Sequence, residues 1–246
     1  MAKKTSKSPP TFKGSKPITA TATARRGLPG WVWIAVGAGL ALLVILATVA
    51  LLANRPRTTT SPGSTVAEQL GQPVERRTMG RSDAPVTVVA YEDFQCPACQ
   101  DFSLALEGTI RELVAAGTMR FEFKPRFVIG PESVTAMMAA ECAADQGRFW
   151  EYHDALFAAL RRNPRANQIS DFEKLAAQIG LDSATFNRCL QSQQHKEALL
   201  REDIQARDDG INATPTVFIN GRRYQGRFDP AEFRAAVEQA QREASP

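Results

Sequence analysis

Cys96-Pro97-Ala98-Cys99 joins an apolar run, Val86 to Tyr91, to a helix-compatible segment from Gln100 to Ala116. A strand that hands two cysteines, three residues apart, to the start of a helix permits few folds. The first thiol lies at the helix N-terminus, where unpaired amide N–H groups and the positive end of the dipole favour a thiolate. The second, one turn in on the same face, is near enough to close a disulfide or to release a trapped substrate. This is the layout that dithiol redox chemistry requires.

The rest of the chain after residue 80 extends that unit. VTVVAY reads as a central strand, apolar on both faces, and the alternation of Met119 to Phe123 reads as the next strand. Together with the intervening helix they make a β-α-β unit with a right-handed crossover. From Pro131 to Asp209 the pattern is almost wholly helical, with pieces at 132–146, 148–162, 171–180, 183–191 and 195–208. Gly180 and Gly210 are stop signals there, and Ser170 and Asp182 are caps. Thr216 to Ile219 returns to strand character, Asn220-Gly221 signals a two-residue hairpin, and Arg222 to Gln225 is the returning strand. Asp229-Pro230 opens a last helix through about Arg242.

Charge and hydropathy set the N-terminal part apart. Residues 1–30 hold seven cations and no acid, leaving 23 basic against 26 acidic residues elsewhere. The net charge of +4 therefore belongs to a basic tail and does not point to nucleic acid. Residues 31–53 contain 23 consecutive uncharged residues, enough for a helix of about 35 Å that crosses a hydrocarbon core of roughly 30 Å. Trp31 and Trp33 occupy an interfacial position, and the charge bias leaves residues 1–30 in the cytoplasm and exports the rest. A cleaved signal peptide, with small residues near Ala47 and Ala50, is the competing reading. Either way the domain reaches a compartment that permits disulfides. Residues 54–72, rich in Thr, Ser, Pro and Gly, read as a flexible tether with an r.m.s. reach of roughly 25 Å.

A lone C-x-x-C also occurs in zinc ribbons and haem attachment sites. Zinc would need a second ligand pair, whereas Cys142 and Cys189 stand 47 positions apart and His153 and His195 join no ligand cluster. A c-type haem site would need His where Gln100 stands. A second signal is Ala213-Thr214-Pro215-Thr216, a proline opening a strand. An ordinary trans proline is one reading. The other is a cis Thr214–Pro215 bond that sets the Thr214 backbone beside the two thiols, where it could pair with an extended substrate.

APVTVVAYEDFQCPAC, then a helical insertion, then GINATPTVFINGRRYQG, resembles the DsbA-like family of thioredoxin-fold oxidoreductases over roughly residues 73–246. The resemblance implies an α/β, thioredoxin-like fold with a helical domain inserted at about 131–209, here preceded by an N-terminal transmembrane helix. It implies that Cys96 is the nucleophile, Cys99 the resolving thiol and Pro215 the cis-proline after Thr214. Relatives carry a buried acid six residues before the first cysteine, where this chain has Ala90. Asp93, Glu92 and Glu122 are candidates to relay the proton in its place, against the plainer reading of each as a solvated charge. The redox motif's middle pair, Pro97-Ala98, lacks the histidine of some strongly oxidising relatives.

Cys142 and Cys189 fall in the helical block. In an exported domain they most simply form a structural disulfide; two unpaired thiols or a second redox pair are the alternatives. Phe149, Trp150, Tyr152, Leu156 and Phe157 read as core, and His153 as a packing or helix-surface residue.

The expectation is thus a single-pass protein of the cell membrane, anchored by residues 31–53, whose exported catalytic domain introduces disulfides into exported proteins bearing free thiols. The resemblance implies a quinone-linked re-oxidant of the DsbB or vitamin K epoxide reductase type, and no metal or organic cofactor. Alternatives are a reductase or isomerase of the same fold, as in cytochrome c maturation, a non-catalytic peptide-binding module, and copper delivery.

Overall fold

The central strand is β3, Val86–Glu92, which pairs in parallel with β4, Met119–Pro125, and antiparallel with β5, Thr216–Ile219. The computed structural model describes residues 64–244. Two short strands, β1 (Val74–Glu75) and β2 (Thr78–Met79), form a hairpin on β4, and β6 (Arg222–Arg223) closes the other edge. The sheet order is therefore β1-β2-β4-β3-β5-β6. Along β3 and β4 burial alternates with the pleat, so Val86, Val88, Ala90 and Glu92 share the deeper face of β3.

Helix α2, Pro97–Ala115, follows β3 and packs against β4. The insertion comprises α3 (Pro131–Ala144), α4 (Phe149–Arg162), α5 (Ile169–Gln178), α6 (Ser183–Ser192) and α7 (Lys196–Asp208), as the sequence pattern predicts. Small residues let α3 be buried nearly all round: Ala136, Ala139, Ala140 and Ala143 are fully enclosed, with Met137 and Met138 beside them. An aromatic seam fastens the insertion to the sheet, with Phe123 meeting Phe149 at 5.6 Å and Phe121 meeting Trp150 at 5.7 Å between ring centroids. Helix α8, Pro230–Ala244, packs on α2, β3 and β5. Asn220 (φ 46°) and Gly221 (φ 76°) both take left-handed backbone, as a two-residue hairpin turn demands.

The structure departs from expectation at four places. The tether is folded at its C-terminal end: α1, Val66–Leu70, buries Val66 and Leu70 and is fastened by a capping box between Thr65 and Glu68. The β1–β2 hairpin has no counterpart in the expected element order. Helix α5 is capped by Gln168 with Asp171, not by Ser170, whereas Asp182 does cap α6 through the Thr185 N–H. The last strand stops at Arg223, two residues before Gln225. The basic tail 1–30, the expected membrane segment 31–53 and the tether through residue 63 lie outside the described residues. Among the described residues no helix is long and apolar enough to cross a membrane.

Candidate active site

The turn between β3 and α2 presents the cysteines. Asp93 organises it: one carboxylate oxygen accepts from the Gln95 N–H at 2.9 Å, and the Asp93 carbonyl accepts from the Cys96 N–H at 2.9 Å. The other oxygen accepts from Val128 N (2.9 Å), Ile129 N (3.2 Å) and the Ser133 hydroxyl (2.9 Å). Asp93 thus clips the cysteine turn to the start of the insertion. Burial raises its pKa, although four donors work against the rise. With both oxygens so engaged, Asp93 is a fastening and not a free proton acceptor.

Cys96 is the N-cap of α2, Pro97 opens its first turn, and no side chain satisfies the cap. The pairing of Tyr91 with Thr216 carries the 213–216 turn to the same end of the sheet. The Thr214–Pro215 bond is cis, and the Cys96 thiol donates to the Thr214 carbonyl oxygen across 3.4 Å. A hydrogen bond from the Cys99 thiol leads in lowering the Cys96 pKa to about 5, followed by the Thr214 side chain and the amides of Cys99 and Ala98, against the effect of burial. Cys99 is fully enclosed, and burial drives its pKa far upward, with further contributions from Cys96 and Glu92. Cys96, 6% exposed, therefore carries the thiolate nearer the surface, and Cys99, wholly enclosed, the protected thiol. Iodoacetamide is expected to label Cys96 with a pH midpoint near 5 and to leave Cys99 unmodified in the folded, reduced protein. A midpoint near 8.5, the free-thiol value, would contradict this geometry.

The other two acidic candidates separate cleanly. Glu122 sits on the partly exposed face of β4, 3.8 Å from Lys124, so strand alternation turns it away from the thiol side. That placement corrects its candidacy as a relay. Glu92 is 1% exposed, two residues beyond Ala90 on the same face of β3. Its Oε2 has no protein hydrogen-bond partner, and burial followed by the Cys96 charge push its pKa well above the usual carboxylate range. Where the resemblance has its acid this strand has Ala90, and Glu92 lies two residues further along on the same face. The period-two pattern of the strand is what puts Glu92 on that face.

Cys142 of α3 and Cys189 of α6 are joined in a disulfide with Cα atoms 5.8 Å apart. His195 presents a nitrogen within 4.8 Å of both sulfurs, but sulfurs spent in a disulfide offer no thiolate to a metal. His195 instead meets Asp145 at 2.7 Å.

Sheet order, the cysteine-capped helix and the cis-proline turn beside it define a thioredoxin fold with a dithiol site. A family model described as Thioredoxin matches residues 73–239, and the chain belongs to that family. Its fold, with the helical insertion, is that of the DsbA-type thiol–disulfide oxidoreductases. BdbD from Bacillus subtilis, oxidised, is 24% identical with a TM-score of 0.59, covering 70% of this chain and 96% of that one. Wolbachia pipientis α-DsbA1 is 20% identical with a TM-score of 0.61, covering 72% and 96%. Reduced DsbA from Mycobacterium tuberculosis is 23% identical with a TM-score of 0.55, covering 70% and 100%. Curated relatives include Na(+)/H(+) antiporter NhaA 3 of Salinispora tropica, 35% identical over 162 residues, and NhaA 1 of Mycolicibacterium vanbaalenii, 32% identical over 191. These alignments cover 64% and 74% of this chain but only 24% and 30% of the antiporters' own length.

Proposed function

We propose that the chain is a membrane-tethered, extracytoplasmic protein disulfide oxidase. The observation that carries this reading is the division of labour between the two thiols, a low-pKa Cys96 over an enclosed Cys99. A substrate thiolate attacks oxidised Cys96, the Cys96–Cys99 bond breaks, and Cys99 departs with its electron pair. A second substrate thiolate then attacks the substrate sulfur of the mixed disulfide and expels Cys96 as a thiolate. The substrate leaves oxidised and the enzyme holds a dithiol.

A stabilised thiolate favours the reduced enzyme and therefore makes its disulfide the stronger oxidant. Each pH unit by which the first thiol titrates below the unfolded value is worth about 1.4 kcal/mol when fully expressed, or about 30 mV. Restoring the disulfide falls to a quinone-linked membrane protein of the DsbB or vitamin K epoxide reductase type. Residues 31–53 hold the domain at the membrane where such a partner resides, and substrates are exported chains with free thiols. The test is equilibration of the full chain with glutathione buffers. A potential well above about −200 mV is expected, and one near −270 mV would make the protein a reductant.

A further inference from the structure

The helical insertion brings together side chains that stand far apart along the chain. Cys142 lies in the last turn of α3, and Asp145 is the residue that ends that helix. Cys189 lies in α6, and His195 is the N-cap of α7. Each half of the disulfide therefore has a second ligand type close by on its own segment, as Cys142-x2-Asp145 and Cys189-x5-His195. Two short-range pairs converging from separate segments is how zinc ligand sets are commonly laid out. The 47 positions between the cysteines hide this convergence from spacing alone, so His195 belongs to a ligand cluster after all.

The distances suit a tetrahedral ion once both sulfurs are thiolates. The two sulfurs and a ring nitrogen of His195 all lie within 4.8 Å of one another. Zinc bonds of about 2.3 Å to sulfur and about 2.0–2.2 Å to nitrogen or oxygen put tetrahedral ligand atoms about 3.4–3.8 Å apart. Asp145 supplies the fourth donor. Its Oδ2 is 2.7 Å from His195 Nε2 and 3.6 Å from the Cys189 sulfur, and it accepts from the Gln194 side-chain amide at 2.9 Å. Its Oδ1 accepts from Arg76 at 2.8 Å, the kind of outer contact that orients a ligating carboxylate. Charge closes too: two thiolates and a carboxylate around a divalent cation leave one negative charge, which the Arg76 guanidinium offsets. Cys142 and Cys189 are 1% and 7% exposed, whereas the His195 and Asp145 side chains are 20% and 27% exposed, so an ion enters from the His195 side.

We propose that the reduced insertion binds one zinc ion through Cys142, Cys189, His195 and Asp145, and that closure of the disulfide expels it. A tetrahedral set with two sulfurs favours zinc among the common divalent ions. Binding sends the two thiol protons to solvent and joins both thiolates to the metal. Expulsion needs an oxidant, which is an external disulfide. One metal-bound thiolate attacks it, forming a mixed disulfide and releasing one external thiolate. The second then attacks the cysteine sulfur of that mixed disulfide, the Cys142–Cys189 bond forms, and the other external thiolate leaves with the electron pair. Two electrons have passed to the oxidant, and zinc, left with one nitrogen and one oxygen donor, dissociates. The same lobe is thus tied by a metal before oxidation and by a covalent bond after it.

The test uses the full chain carrying Cys96→Ser and Cys99→Ser, so that Cys142 and Cys189 are its only thiols, reduced and then freed of reductant without oxygen. Zinc is expected to bind at one ion per chain and to raise the melting temperature, and the same protein oxidised should hold none. Cobalt(II) in place of zinc should show the absorption of a tetrahedral, thiolate-bound ion. His195→Ala should weaken zinc at least tenfold, since even outer-shell changes cost about 10–100-fold. Glutathione disulfide should release the ion in step with closure of Cys142–Cys189. Failure of the reduced chain to bind either ion, equal affinity in His195→Ala, or zinc retained after oxidation would overturn the proposal. Zinc binding that appears only when Cys96 and Cys99 are present would overturn it as well. Should His195→Ala fail to fold, proton NMR of the cobalt-loaded chain serves in its place, and a His195 ring left unshifted by the paramagnetic ion rejects the site. None of these outcomes bears on Cys96–Cys99 as the redox pair.

Discussion

Cys96→Ser is expected to lower thiol–disulfide exchange by at least about three orders of magnitude, as removal of a nucleophile does. It should do so without unfolding the protein. Cys96 caps α2 with no side-chain hydrogen bond, and serine is a preferred residue at that position. The variant should therefore melt no lower than the reduced wild type at acidic pH. At higher pH the comparison changes sign for a stated reason. A thiol whose folded pKa is depressed to about 5 stabilises the fold fully above the unfolded thiol range and loses that contribution as pH falls through about 5. Reduced wild type should accordingly gain on Cys96→Ser as pH rises from about 5 toward 9. Cys99→Ser should differ in kind, capturing a partner on Cys96 and failing to release it. Full exchange activity in Cys96→Ser, measured against an unfolded thiol substrate, would remove this residue from the chemistry.

The second large effect is on stability. Replacing both Cys142 and Cys189 by serine opens a loop spanning 47 positions within the insertion. In the chain-entropy treatment this costs roughly 4 kcal/mol, or about 8–16 °C in melting temperature for a domain of this size. Exchange by Cys96 should survive at temperatures where the variant is folded, because the disulfide ties the C-terminal end of α3 to α6 while Asp93 fastens the cysteine turn to Val128, Ile129 and Ser133 at the opposite end of α3. An unchanged melting curve together with lost activity would instead make these cysteines a second redox pair.

Much of this architecture can be read from residues because several local signals agree. The strand before the cysteines, the asparagine–glycine turn at 220–221 and the Asp182 cap each specify one backbone conformation, and each is present. The helical insertion follows from periodicity and two glycine stops. What escapes is of two kinds. Strands of two residues, as in β1 and β2, are too short to show alternation, and their place is set by pairing with a distant β4. Helix α1 falls within the stretch read as a tether; Thr65 and Glu68 stand at capping-box spacing there, but five residues are too few for the periodicity that reading relied on. In the site, Cys96, Cys99 and Pro215 are legible from motif and order. Which nearby acid faces the thiols is a matter of strand phase: Glu92 shares a face with Ala90, Asp93 is consumed by backbone amides, and Glu122 points the other way.

The fastened insertion has a consequence for how the molecule comes into being. A newly made copy carries four free thiols, two of which must be linked before the 131–208 lobe reaches full strength. Under the oxidase reading proposed above, an older copy can supply that linkage. The population would then be partly self-maturing, each generation finished by the one before it.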